Sequence, residues 1–112
     1  MNKTLAYLIP KFLGYVNLGR MSLDNKKKRE LKSQAHHLKV IIQVGQHGVS
    51  ESLVAETDNA LNTHELIKVQ IQSDDRDERK AAAAELVAKT NAELVHTIGK
   101  IFVLYRQNKD GA

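Results

Sequence analysis

The chain has 112 residues, 42% of them hydrophobic, with one proline and no cysteine. A chain of that length fits one globular domain and buries about 60–65% of its unfolded surface, which leaves no room for a second domain or a deep substrate cavity. The missing cysteines exclude disulfides, thiolate metal ligands and cysteine nucleophiles, and fit a reducing compartment. The net charge of +4 is unevenly spread. Residues 1–20 carry Lys3, Lys11 and Arg20 and no acid, so 14 of the 17 basic residues remain against 13 acids from Met21 onward, a net of +1. Any polyanion site must therefore come from the arrangement of charge and not from its total.

Residues 1–20 are aromatic-rich, and their apolar run "LAYLI" is cut by Pro10 and Lys11. The run is too short for a membrane span or for the apolar core of a signal peptide. We read 1–20 as an N-terminal extension, non-native or flexible, ahead of one domain at 21–107 and a short tail at 108–112. A short amphipathic segment that docks on a membrane surface or a partner is the alternative reading.

Asp24 is placed to cap a helix whose early turns hold the cluster Lys26, Lys27, Lys28 and Arg29, with Leu31, Ala35 and Leu38 as a thin apolar stripe. "VIIQV" at 40–44 reads as a short buried strand by its β-branched content. It stops on Gly45-Gln46-His47-Gly48, after which Ser50 is an N-cap, Glu51 complements the dipole, and Val49 can staple onto Val54. Leu53, Val54, Thr57, Ala60 and Leu61 then share one face of a helix over 51–63.

"ELIKVQIQ" alternates, with Ile67, Val69 and Ile71 on a dry face and Leu66, Lys68, Gln70 and Gln72 on a mostly wet one. "SDDRDERKAAAAELVAKTN" predicts a third helix with acids at its start and Asn91 in the left-handed closing position. "ELVHTI" and "IFVLYR" flank Gly99-Lys100, which suits a type II′ hairpin turn. That register opposes Ile98 to Ile101, His96 to Val103 and Leu94 to Tyr105 on one face, and Thr97 to Phe102, Val95 to Leu104 and Glu93 to Arg106 on the other. The fold class is α/β, in the order α-β-α-β-α-β-β, with a mixed four-stranded sheet packed with helices.

A Gly-x-x-Gly turn between a strand and a capped helix lets another backbone approach closely, and the helix start aims unpaired N–H groups at it. KH domains use such a loop to hold single-stranded nucleic acid. Lys39, Lys28 and Lys32 are the cations expected to surround it. The bland reading of the turn is a tight connection that needs positive φ. From the residues alone, the chain is a binder of single-stranded RNA or phosphate.

Residues 23–106 resemble the CRM family, the chloroplast RNA splicing and ribosome maturation domain, in its small bacterial stand-alone members of the YhbY type. The likeness is carried by "LKSQAHHLKVIIQVGQHGVSE", "ALNTHELIKVQI" and "IGKIFVLYR". Val40 departs from the proline such proteins commonly carry there, which bears on how the first strand begins. The resemblance implies a fold like the C-terminal domain of translation initiation factor three, no enzymatic activity, and association with large ribosomal subunit precursors. It also implies that Gly45, Gln46, His47 and Gly48 face RNA. The full expected interface is Gly45, Gln46, His47, Gly48, Ser50, Lys28, Lys32 and Lys39, in a cytoplasmic monomer whose partner is large-subunit rRNA or its precursor particle. No cofactor, metal, small-molecule substrate or membrane is expected.

Other chemistries fit less well. His36 and His37 diverge by about 100° on a helix, and His64 and His96 are scattered, so structural roles suit all four, while His47 is placed to meet a base or phosphate. Asp74, Asp75, Asp77 and Glu78 read as a solvated helix start, interleaved with neutralising bases, and not as a catalytic pair. From Met21 onward only Phe102 and Tyr105 are aromatic, and the hairpin register sets them on opposite faces, which argues against an aromatic stacking sheet. The alternatives are an adaptor that reaches the ribosome through a protein, and a KH-like regulator of messenger RNA.

Overall fold

The computed structural model describes residues 24–108. The first helix, α1 (Asn25–Ala35), is capped by Asp24, whose carboxylate accepts the Lys27 amide at 2.7 Å. It leads into β1 (Val40–Val44), then α2 (Glu51–His64), β2 (Leu66–Ile71), α3 (Arg76–Thr90), β3 (Glu93–Ile98) and β4 (Ile101–Tyr105). Local chemistry sets the boundaries. Ser50 Oγ accepts the Leu53 amide at 3.1 Å, Asp75 accepts those of Asp77 and Glu78, and Asn91 ends α3 at φ 59°. Leu38, expected on the α1 stripe, lies beyond the helix end and is 37% exposed.

The sheet order is β1-β2-β4-β3. β1 and β2 run parallel through α2, and β4 lies antiparallel between β2 and β3. The last of the described strands is thus an inner one, and β1 and β3 are the edges. One face carries Ile42, Val44, Ile67, Val69, Ile71, Phe102 and Leu104 against Leu53, Leu61, Ala83 and Leu86 of α2 and α3. Among the described residues the other face is covered by α1 alone, whose Leu31 and Ala35 pack on Leu66, Val103, Val95 and Tyr105. That cover explains why Leu66, on the face expected to be mostly wet, is buried.

Two further details differ from the sequence reading. β1 is an edge strand buried on one face only. Ile42 and Val44 point into the core, whereas Gln43 is exposed and Ile41 is 45% exposed. Its ladder to β2 shifts between Val40 and Ile42, so the strand enters its pairing irregularly. The hairpin keeps the expected pairs Ile98–Ile101, Thr97–Phe102 and His96–Val103. The register then shifts between Leu94 and His96, so that Leu94 faces Leu104 and Glu93 faces Tyr105. One extra residue in β3 relative to β4, a β-bulge, accounts for the shift.

The displaced partner is Arg106. It lies past β4 and donates to the Asp58 carboxylate, the Thr90 carbonyl at 2.7 Å, the Asp58 carbonyl at 3.1 Å and Asn62 Oδ1 at 2.6 Å. Its own amide donates to the Glu65 carbonyl at 2.9 Å. One guanidinium fork therefore ties the end of β4 to the C-terminal halves of α2 and α3.

Candidate nucleic-acid interface

The 45–48 turn caps the end of β1. Its base is fixed by the Gln72 amide, which donates to the Val44 carbonyl at 3.0 Å, and by Gln72 Nε2, which donates to Gln43 Oε1 at 3.0 Å. The turn is closed by the Gly48 amide donating to the Gly45 carbonyl at 3.1 Å. Gly48 takes φ +75°, a conformation L side chains rarely adopt, so the fold itself calls for glycine there. Gly45 has no such need. Its φ is not positive, and a Cβ built on it meets nothing within 4 Å.

Gly45, Gln46, His47 and Ser50 are exposed, and Gly48 is half-buried. The amides of Gln46, His47, Glu51 and Ser52 donate to no acceptor among the described residues. This turn and the first turn of α2 together offer unmet donors at the positive end of a 14-residue helix. Glu51 sits in that first turn and offsets part of the dipole. The exposed amides of the turn are thus the stronger lure for an anion.

The three lysines do not gather around the turn. Lys39 precedes the first residue of β1, so roughly 20 Å of strand separates it from Gly45. Lys28 and Lys32 ride on α1, which packs over Leu66 and Tyr105, the ends of β2 and β4 remote from the turn. The spatial expectation for these cations is corrected by the topology: Lys39 stands at the far end of β1, and Lys28 and Lys32 on the separate basic surface of α1. There the Lys27 ammonium stands 5.6 Å from the Tyr105 ring centroid, and burial, with Lys32 and His36 close by, lowers the pKa of His96. Phe102 lies in the main core at 2% exposure, and Tyr105 packs under α1. Neither is an open stacking platform.

The cations that do share the end of the sheet with the glycine turn are Arg76, Arg79, Lys80 and Lys100, none of which the sequence reading singled out. β2 leads into α3 at this end, and the β3–β4 hairpin turns here. In the "DDRDERK" segment, Asp75 is spent on the cap and Glu78 accepts from Ser73 Oγ at 2.7 Å. Arg76, Arg79 and Lys80 share one side of α3 and line a groove. Their i, i+3, i+4 spacing was the available signal. Lys100 is held by Asp74 at 2.8 Å, and this hydrogen bond and charge together lower the pKa of Asp74. Among the described residues, no three of His, Asp or Glu gather as a metal site.

Helices on both sides of a mixed four-stranded sheet, with a bare glycine turn at a helix start, define a small α/β domain with unmet main-chain donors at one end of its sheet. The profile of the CRS1/YhbY (CRM) domain matches residues 23–106, and the chain belongs to that family. The chain is 43% identical over 88 residues to a probable RNA-binding protein of Pseudomonas aeruginosa, covering 79% of this chain and 85% of that one. It is also 43% identical over 89 residues to an RNA-binding protein of Haemophilus influenzae, covering 80% and 90%. The solution structure of the hypothetical protein SAV1595 from Staphylococcus aureus shares the fold, with a TM-score of 0.70 and 38% identity, covering 80% of this chain and 94% of that one.

Proposed function

We propose that this chain is a non-enzymatic RNA-binding protein that holds a single strand through Gly45, Gln46, His47 and Gly48 and the start of α2. The observation that carries this reading is Gly45. Neither backbone conformation nor a neighbouring atom demands glycine there. A missing side chain at an exposed turn, beside unpaired amides, makes room for something arriving from outside. The names of the relatives supply the class of that partner. We assign the RNA to the large ribosomal subunit or its precursor particle, in a cytoplasmic monomer, on the strength of the family likeness. Lys28 and Lys32 serve as phosphate contacts on the basic surface of α1, and Lys39 as one at the far end of β1.

Mobility-shift titration with large-subunit rRNA fragments tests the mode of binding. Gly48→Asp places a carboxylate in the turn and is expected to weaken binding, while circular dichroism reports an intact fold. Wild-type affinity in the folded variant removes the turn from the mechanism. Sucrose-gradient sedimentation tests the destination. The protein is expected with large-subunit precursors, and its release by nuclease separates direct RNA contact from a protein adaptor.

A further inference from the structure

The groove beside α3 runs along the sheet edge opposite the glycine turn. It exists because α2 and α3 cover β1, β2 and β4, while the outermost strand, β3, has no helix above it on this face among the described residues. Leu94 of β3 is left 39% exposed. The alanine run of α3 keeps the opposite wall low, with Ala83 in the floor. The open space is about 770 Å³, lined by Arg76, Arg79 and Lys80 at the α3 start and by Leu94 and Gly99 on the strand side. Arg79 donates to the Ser73 carbonyl at 2.9 Å, and neither Arg76 nor Lys80 is ion-paired among the described residues.

We infer that this groove is a second RNA subsite, occupied by nucleotides downstream or upstream of those at the glycine turn; the inference rests on the RNA reading above. Charge complementarity and continuity argue for RNA. A strand leaving the turn crosses the same end of the sheet, about 14 Å between edge strands, before it meets Arg76 and Lys80. Those two residues lie one helical turn apart, about 6 Å along the axis, a spacing suited to successive phosphates. Leu94 then offers an aliphatic surface for a base, and guanidinium planes are themselves good stacking partners for bases. Gly99, with no atom near its missing Cβ, leaves the groove open at the hairpin. An acidic peptide is the rival occupant, and the test separates the two.

Fluorescence anisotropy with single-stranded RNAs of about four nucleotides, the length a glycine loop clamps, and of about twelve, would be run against salt concentration. The proteins are wild type, Arg76→Gln/Lys80→Gln, Leu94→Glu and Gly48→Asp, each checked for folding by circular dichroism. With the longer RNA, the double variant is expected to flatten the log–log salt slope by about 1.4, two single-strand phosphate contacts, and Leu94→Glu to weaken binding. With the shorter RNA both groove variants match wild type. Amide NMR shifts should reach Leu94 and Gly99 only with the longer RNA. If the groove variants keep wild-type affinity and slope on the longer RNA while Gly48→Asp loses both, the subsite is overturned and the turn stands. If Gly48→Asp keeps full affinity while the groove variants lose it, the groove stands as an RNA site and the turn fails. If wild type binds neither RNA, both readings fall and the groove is left to an acidic peptide.

Discussion

Replacing Gly45 by alanine separates what the fold needs from what a ligand needs. The added methyl meets no atom within 4 Å and the backbone there is not in a glycine-only conformation, so the native state has nothing to resist it. Alanine also narrows the unfolded ensemble, which stabilises by about 0.4–1 kcal/mol. For a domain of this size that is a rise in Tm of about 2–8 °C. At Gly48 the same substitution meets φ +75° and costs about 1–2 kcal/mol. If a phosphodiester lies against the turn, the methyl at 45 stands where it must pass. Loss of one amide–phosphate bond, about 1.5–3 kcal/mol, corresponds to a roughly 10- to 150-fold weaker Kd. Calorimetric melting and RNA anisotropy on Gly45→Ala measure both sides. A protein that melts at or above the wild-type temperature yet binds poorly is the expected outcome. Unchanged affinity would refute the reasoning, because Gly45 would then have no external purpose.

Three further outcomes follow from the geometry. Arg106→Ala removes the fork that joins the ends of β4, α2 and α3, and since Arg106 is mostly buried while Asp58 is half open, the loss should be about 2–3 kcal/mol, read by urea unfolding. Arg106→Lys should recover only part of it, having no fork. Asp74→Asn frees the Lys100 ammonium and removes a negative charge at the groove end, so RNA affinity measured by anisotropy should rise; a fall would show that the pair positions the hairpin. His96 has its pKa lowered by burial, then by Lys32 and His36, so the fold favours its neutral form. The unfolded chain takes up that proton first as pH drops, and stability should be constant above about pH 6.5 and decline below it, with His96→Gln reducing the decline in urea melts.

Much of this architecture is local and therefore readable from the sequence. Asp24, Ser50 and Asp75 accept amides a few residues onward, Asn91 closes its own helix, and Gly99 sets the hairpin, all without reference to the rest of the chain. What depended on tertiary placement was not readable. Nothing in "VIIQV" says that it is an edge strand, and nothing in "ELVHTI" announces a bulge near Val95 that sends Arg106 to the helix ends. The turn was legible because glycines punctuate a strand-to-helix junction. The lysines expected around it lie elsewhere because neighbours in sequence need not be neighbours in space: a five-residue strand carries Lys39 to the far end. The groove cations were hidden by counting: acids and bases cancel along "DDRDERK" but are sorted once the segment winds into a helix.

The inner position of β4 also has a consequence for biosynthesis. While a nascent chain still holds Ile101 to Arg106 inside the exit tunnel, β2 and β3 have no strand between them and the helix ends have no guanidinium to join them. The glycine turn at the end of β1 therefore rests on a sheet that is completed only when β4, the last of the described strands, is free to enter it.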